Sequence, residues 1–565
     1  MSLPGKIILF KKSKKISSRI YAYVLFFVLH IALFNVNVAE WGDSYRILRA
    51  SEYIRKGIYP SDEKRPPLFS VFTAVRPSDV DPVLWGRVVV FVFSLLAFIV
   101  FDKLTEIYIK DEKYRLISLI LFILNPVYLY WSIRVMADVP FSFFVLLAFY
   151  LLSRYVERIK HRENEKGRKR VGFGNLIILG VVCGLAILTR FEGYLLAIAV
   201  LAGLALSDKK FHENENNGGK TSAEGSGFTF KLKSFFTQIL KNWEKLLIFG
   251  LTTLIVISPW ILNRNPFESS YFEEPSRRIY DFKMVWTYIV SILYLFGFTS
   301  AFYFIFKKPR NVILFLHKNL GITTFIILDL LLILVWPAAV PRLFVPLIPF
   351  FVLIFTISFR DFAETFGKSK GKTFAGISAD TIFPAFLLLF YVVSQYFLKL
   401  QFLVPVKTAF AVIVLIQVLM LLSIYFRDSK VFFCLILLST TFWSSSVIFN
   451  HKNIYTAIKS AGIYARDNLD GKIIFNDTTS VADWYINYSY PKENLIGEKR
   501  DFSDKKELDY KSLLKNNVSY VLITNEDNSN FNLDIENFGY LKLIQSFRYN
   551  IGSKEFFADI LEFER

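Results

Sequence analysis

The chain has 565 residues, 53% of them apolar, and a mean hydropathy of +0.39. That is too oily for a water-soluble globule, because apolar runs long enough to cross hydrocarbon recur along it. The formal net charge of +19 lies between those runs rather than on one soluble domain, which excludes nucleic acid as a partner. The only two cysteines, Cys183 and Cys434, sit inside apolar runs and exclude a disulfide framework or a cysteine metal site.

A basic stretch from Lys6 to Arg19 precedes an apolar run from Tyr21 to Ala39, and no small-residue cleavage site follows, so the run reads as a retained first helix. Apolar windows predict further spans near 86–106, 115–132, 137–155, 173–189, 191–207 and 245–262. Six more are predicted near 285–306, 319–336, 343–359, 381–398, 408–426 and 431–449, giving about 13 transmembrane helices. With the N-terminus inside, the cytoplasmic segments hold 34 Lys and Arg and the outer loops before residue 450 hold 16. Retention of positive charge in the cytoplasm selects that orientation, and an odd helix count then puts the C-terminus outside.

Three segments do not read as membrane. Residues 40–85 form a first outer loop far longer than a helix hairpin requires, which predicts structure and work of its own. The Asn-, Gly- and Ser-rich stretch from Asn214 to Gly227 reads as a flexible inner linker. Residues 450–565 alternate helical and strand patterns: helices near Tyr455–Asn468 and Lys505–Lys515, strands at Lys472–Phe475 and Val518–Thr524. The expected architecture is thus a transmembrane domain over 1–449 and a small extracytoplasmic α/β domain over 450–565.

Several chemistries fail on spacing. Gly367 to Thr373 and Gly219-Lys220-Thr221 imitate a phosphate loop without its full glycine spacing or a preceding strand, there is no GxSxG, and the five histidines are scattered. What remains is carboxylates, arginines and backbone. The outer loop opens Glu40-Trp41-Gly42-Asp43-Ser44-Tyr45, and Tyr45 to Lys56 reads as an amphipathic helix lying along the membrane surface. Asp43 could take a proton from a substrate hydroxyl, and as a favoured helix N-cap it could equally serve the helix. Gly57-Ile58-Tyr59-Pro60 and Arg65-Pro66-Pro67-Leu68 read as loop punctuation that fixes an extended descent to the next span.

A second outer turn, Ser132 to Pro140, puts Arg134 and Asp138 one helical turn apart, with Asp138 again a possible cap before Pro140. A third, Leu188-Thr189-Arg190-Phe191-Glu192-Gly193, and a fourth, Pro341-Arg342-Leu343-Phe344, each set an arginine at the outer end of a span. A guanidinium fork suits phosphate, while a single interfacial arginine is as readily explained by snorkelling to lipid headgroups. Three arginines on the carboxylates' side point to a site. Asn-x-Ser/Thr triplets at Asn476, Asn487 and Asn517 are potential glycan acceptors.

In their order and shared facing, these residues resemble the GT-C glycosyltransferases, the membrane superfamily that includes protein O-mannosyltransferases and aminoarabinose transferases. The resemblance rests on the Asp43 loop opening, Gly-x-Tyr-Pro and Pro-Pro-Leu, the Arg134–Pro140 turn, Leu-Thr-Arg-x-Glu-Gly at 188–193, and Pro-Arg-Leu-Phe-Val-Pro-Leu-Ile-Pro at 341–349. It implies a sugar transferred from a polyprenyl-phosphate donor to a protein, lipid or glycan acceptor on the outer face of the cytoplasmic membrane. Asp43 and Asp138 would be catalytic, Arg134, Arg190 and Arg342 would bind the lipid phosphate, and Glu192, Arg46 and Tyr59 would orient substrate. Ser44 stands where the family often has a second acidic residue, so a divalent cation such as Mg or Mn on Asp43 and Asp138 is left open. The Trp-Trp-Asp motif of oligosaccharyltransferases is missing. A lipid transporter or flippase is the alternative reading, since charges at helix ends can also mark a substrate path.

Overall fold

The computed structural model describes residues 19–164, 173–205, 240–264, 282–307, 309–336, 341–368, 379–398, 407–426, 428–502, 505–526, 538–551 and 554–564. The Asn214–Gly227 linker and both phosphate-loop mimics fall wholly or largely outside them.

A helix stands in every apolar window. In chain order the bundle comprises α1 (Arg19–Leu33), α2 (Gly42–Arg55), α3 (Leu68–Ala74), α4 (Pro82–Tyr108), α5 (Glu112–Ile123), α6 (Pro126–Ser132), α7 (Asp138–Asn164), α8 (Gly174–Thr189) and α9 (Gly193–Ala205). Then follow α10 (Trp243–Asn263), α11 (Phe282–Tyr294), α12 (Ala301–Lys307), α13 (Pro309–Lys318), α14 (Leu320–Val335), α15 (Ile348–Lys368), α16 (Ala379–Leu398), α17 (Lys407–Tyr425) and α18 (Ser429–His451). Among the described residues five helices are long and apolar enough to cross a membrane, or seven if two bent pairs each count as one span.

The bends correct the expectation of uninterrupted spans, and each has a local cause. Between α5 and α6 the axis turns by 56° at Asn125-Pro126. The Asn125 carboxamide caps α6 by accepting from Val127 and Tyr128 N–H at 3.1 and 3.0 Å, while Pro126 takes the first-turn position that needs no donor. The 285–306 window breaks between α11 and α12, where Gly297 has φ +72°. Backbone groups freed there find protein partners, as apolar surroundings demand. Asn125 donates to Leu295 O at 2.5 Å, Ser439 donates to Gly297 O at 2.7 Å, and the Gln417 carbonyl accepts from Thr299 N–H at 3.1 Å. Close helix pairing relies on small residues: a Cβ at Gly180 would lie 2.8 Å from Phe249 O, so α8 and α10 approach to backbone distance.

The C-terminal domain is a five-stranded sheet in the order β2-β1-β3-β5-β4, with β1 Gly471–Phe475, β2 Leu495–Lys499, β3 Tyr520–Thr524, β4 Leu541–Ile551 and β5 Lys554–Phe563. β1 runs parallel to β2 and β3, whereas β4 and β5 form an antiparallel hairpin beside β3. Ile473, Ile474 and Phe475 are all buried, the pattern of a strand covered on both faces. The helix expected at 455–468 is α19 (Thr456–Asn468), and the one at 505–515 is a 3-10 turn followed by α20 (Tyr510–Lys515). Two of the glycan-acceptor candidates are structural. Asn476 exchanges two bonds of 2.9 Å with the Thr524 backbone, and Asn487 donates to Asp483 and pairs with Gly497.

α2 does not lie free along a membrane surface. Its apolar face, with Tyr45, Ile47 and Leu48 buried, packs on α3 and on the turn at Trp484–Tyr488 of the C-terminal domain. A Cβ on Gly42 would sit 2.7 Å from Thr479 Cβ and 2.8 Å from its carbonyl oxygen, so only glycine allows this approach. The loop after α1 and the C-terminal domain are thereby held together at one end of the bundle.

Candidate functional site

Asp43 enters the site because α2 starts two residues earlier than a cap at Asp43 would need. The N-cap is Trp41, and Asp43 lies in the first turn with its side chain turned away from the helix. Its Oδ1 accepts from Arg65 Nη2 at 2.5 Å and its Oδ2 from Arg342 Nη1 at 2.7 Å. The expected capping role is therefore overturned: two guanidinium ions take both oxygens. Arg342 reaches from the 3-10 turn Pro341–Phe344, with its guanidinium 6.0 Å from the Trp131 ring. Arg65 is fixed from behind, since Glu63 accepts from it at 3.0 Å and the Tyr59 hydroxyl donates to its carbonyl at 2.8 Å.

Across a narrow cleft stands a second ion cluster. Arg190 donates to Asp138 Oδ1 at 2.5 Å and to Glu192 through both Nε, at 3.0 Å, and Nη2. Asp138 is 1% exposed, and its Oδ2 meets no hydrogen-bond partner among the described residues. Like Asp43, it lies in the first turn of its helix without capping it. The cleft between the clusters is lined by Asp43, Arg65, Asp138, Arg190, Glu192 and Arg342 with Ile47, Met136, Thr189 and Phe191 between them, and encloses about 30 Å³. That is room for roughly one water molecule.

Charge pairing decides the protonation states. Burial pushes the Asp43 carboxyl up, but Arg65 and Arg342 outweigh it and hold the group well below the usual carboxylate range. Arg46, one turn along α2, adds to the pull. The Asp43 carboxylate is ionised at neutral pH.

Five of the residues singled out in the sequence thus converge: Asp43, Asp138, Arg190, Glu192 and Arg342. Three do not line the cleft. Arg134 is fully buried, donates to His451 O at 3.0 Å and Ala39 O at 3.4 Å, and stacks 4.6 Å from the Tyr130 ring. It ties the loop opening to the end of α18 instead of facing a ligand. Arg46 reaches the C-terminal domain at Thr478 O, 3.2 Å, and Ser480 Oγ, 3.4 Å. Tyr59 acts through Arg65, and its ring packs against Trp260 at 5.3 Å.

Sequence reasoning missed Arg65, which it took as loop punctuation, Glu63, and Asp329 of α14, which is buried within electrostatic reach of Arg190 and Glu192. An arginine inside a proline-fixed loop on the carboxylates' side was the available signal for Arg65. No group of three or more metal-ligating side chains occurs among the described residues. A dication on Asp43 and Asp138 would also have to displace three arginines already paired to them, so the side chains present do not fit one.

Residues 66–266 match the family model of the dolichyl-phosphate-mannose-protein mannosyltransferases, a segment that contains Asp138, Arg190 and Glu192. No curated protein matches the sequence. Among solved structures, apo ArnT from Cupriavidus metallidurans superposes with a TM-score of 0.57 at 13% identity, covering 96% of this chain and 97% of that one. The same protein bound to undecaprenyl phosphate gives 0.55 at 12% identity with equal coverage. The apo oligosaccharyltransferase of Archaeoglobus fulgidus gives 0.50 at 10% identity, covering 91% of this chain and 70% of that one. At such identities the likeness is one of fold, and it spans bundle and C-terminal sheet together. The fold is GT-C-like, as the motifs suggested.

Proposed function

We propose that this chain is an inverting GT-C glycosyltransferase that moves a sugar from a polyprenyl-phosphate donor to a hydroxyl acceptor. The mannosyltransferase family match over 66–266 and the ArnT-like fold support glycosyl transfer with that class of donor. The observation that carries the residue assignment is the Asp43 carboxylate held between Arg65 and Arg342 in a cleft whose far wall is Arg190, Asp138 and Glu192.

The acceptor oxygen attacks the anomeric carbon, the bond from that carbon to the phosphate oxygen breaks, and the acceptor proton passes to Asp43. The phosphate leaves as an anion that needs countercharge more than a proton, and Arg342 and Arg65 supply it. The same two ions make Asp43 a poor base at rest. When they are drawn to the donor phosphate, Asp43 loses its cationic neighbours and its proton affinity climbs, so base strength arrives with the donor. Arg190, braced by Asp138 and Glu192, presents a second cation and two carboxylates to sugar hydroxyls. No step is assigned to a metal ion, and transfer unchanged by EDTA is the expected result.

The apolar windows support thirteen spans and the charge asymmetry of the loops an orientation in the cytoplasmic membrane with the N-terminus inside, which sets the cleft and the C-terminal domain outside. Purified protein in proteoliposomes tests the reading. With a panel of polyprenyl-phosphate sugars, one donor yields free polyprenyl phosphate and a glycosylated acceptor at equal rates. Donor that crosses the bilayer with its sugar–phosphate bond intact identifies a transporter and overturns the assignment.

A further inference from the structure

A second cavity lies at the other end of the bundle from Asp43 and encloses about 510 Å³, within the range of small-molecule sites. α7 connects the two. Asp138 opens it at the cleft, and Ser153 and Glu157, fifteen and more residues on, line the second cavity, roughly 22 Å further along the helix. None of the residues that hold the ion clusters takes part in it.

Its walls are of two kinds. Phe149, Leu152, Val156, Phe315 and Ile357 make an apolar lining long enough for an alkyl chain. A polar group closes one side: the Tyr108 hydroxyl lies 2.8 Å from both Ser153 Oγ and Asn319 Oδ1. Lys318 and Arg360 bring positive charge to the lining. Against these two cations the lining holds one carboxylate, Glu157, which pairs with Arg154 at 3.0 Å, so the cations outnumber it.

The element that forms one edge identifies the surroundings. α13 meets α14 at 104°, so a short helix lies nearly perpendicular to the apolar helix that continues it. Along α13, Val312, Ile313 and Leu316 share one face, with Ile313 60% exposed, while Arg310, Leu314 and Lys318 follow one another at four-residue spacing on the other. An amphipathic helix at right angles to an adjoining apolar one is the geometry of an interfacial helix, with its apolar side chains at acyl-chain level and its cations at headgroup level. A cavity opening beside it meets lipid before it meets a dissolved ion.

We infer that this cavity binds an anionic phospholipid, its headgroup phosphate held by Lys318 and Arg360 and one acyl chain lying on the Phe149–Leu152–Ile357 wall. The site is separate from the glycosyl-transfer reading and stands or falls without it. Its test is thermal unfolding of the full-length purified protein in neutral detergent, titrated with dioctanoyl phosphatidylglycerol, dioctanoyl phosphatidylcholine or inorganic phosphate. Phosphatidylglycerol is expected to raise Tm saturably, with an apparent affinity at least tenfold above that of phosphatidylcholine, and inorganic phosphate to do nothing. The doubly neutralised variant K318Q/R360Q is expected to lose the tenfold preference, read as each lipid's shift from the variant's own lipid-free Tm. Leu314→Gln, at the exposed cavity edge, is expected to weaken both lipids alike by disturbing the chain's path. Equal stabilisation by the two lipids, an effect of inorganic phosphate alone, or an undiminished preference in K318Q/R360Q would each overturn the inference.

Discussion

Asp43→Asn keeps the side chain's shape and removes its charge, and the structure separates what that does to the fold from what it does to the rate. The carboxylate gives one oxygen to Arg65 at 2.5 Å and the other to Arg342 at 2.7 Å. An amide has a single acceptor oxygen, so one arginine faces an NH2 group instead. Losing a hydrogen bond to a charged group costs about 1.5–3 kcal/mol, and breaking a fully buried ion pair costs about 3–5 kcal/mol. Here the Asp43 side chain is 23% exposed and its two partners 16–17%, so water tempers the loss and about 2 kcal/mol is the expected figure. The protein stays folded. Removing a general base, by contrast, slows the reaction by about 10²–10⁴, equivalent to ~3–5 kcal/mol of barrier.

The donor's apparent affinity moves the other way. With Asp43 neutral, Arg65 and Arg342 no longer have a carboxylate to leave, so the donor phosphate binds more tightly and KM falls together with kcat. The assay is steady-state release of polyprenyl phosphate in proteoliposomes, read beside the unfolding temperature of the same preparation. A variant with unchanged kcat, or one whose KM rises at constant kcat, refutes both the base assignment and the competition for the arginines.

Three other outcomes are expected. Arg134→Met leaves the Ala39 and His451 carbonyls without their donor and lowers stability by about 2–4 kcal/mol, while the protein that remains folded keeps wild-type donor KM; thermal unfolding and kinetics on one sample check both halves. Gly42→Ala forces a methyl group against the Thr479 backbone at 2.8 Å, costs about 1–3 kcal/mol and lowers kcat by displacing Asp43, measured in the same two assays. Glu526 of the C-terminal domain accepts from Ile458 N–H at 3.1 Å, and its burial pushes its pKa up to about 8 from 4.5. The folded chain therefore holds a proton the unfolded chain releases, and stability falls as pH rises from 4.5 through 8, by on the order of 4 kcal/mol. Glu526→Gln removes that loss, so its advantage in Tm over the wild type widens between pH 5 and pH 9.

How much was legible in the sequence follows from the range of each interaction. Apolar windows and loop charge are local signals, and they placed Asp43, Asp138, Arg190, Glu192 and Arg342 at one end of the bundle, where the structure joins them. Whether a helix-end arginine turns into the cleft or into the protein is settled by distant packing. Arg134 and Arg190 look alike in sequence, yet Arg134 is captured by a carbonyl 317 residues away and Arg190 by Asp138, 52 residues away. Arg65 was passed over because its neighbours Pro66 and Pro67 account for a loop unaided, and its partner belongs to another element. In the C-terminal domain β1 and β3 showed as apolar runs, whereas Arg548, Glu555, Asp559 and Glu562 break up β4 and β5, which only pairing with each other completes.

The narrowness of the cleft has a consequence for selectivity against the wrong occupant. Its arginines are already neutralised by tethered carboxylates, which act as an internal ligand at very high effective concentration. Chloride, bicarbonate or a stray carboxylate must outcompete that ligand at its own chemistry and has nothing further to offer. A phosphate on a long prenyl tail brings a second anchoring term from the membrane. On the proposed mechanism, the idle protein thus turns away the small anions that crowd an aqueous face.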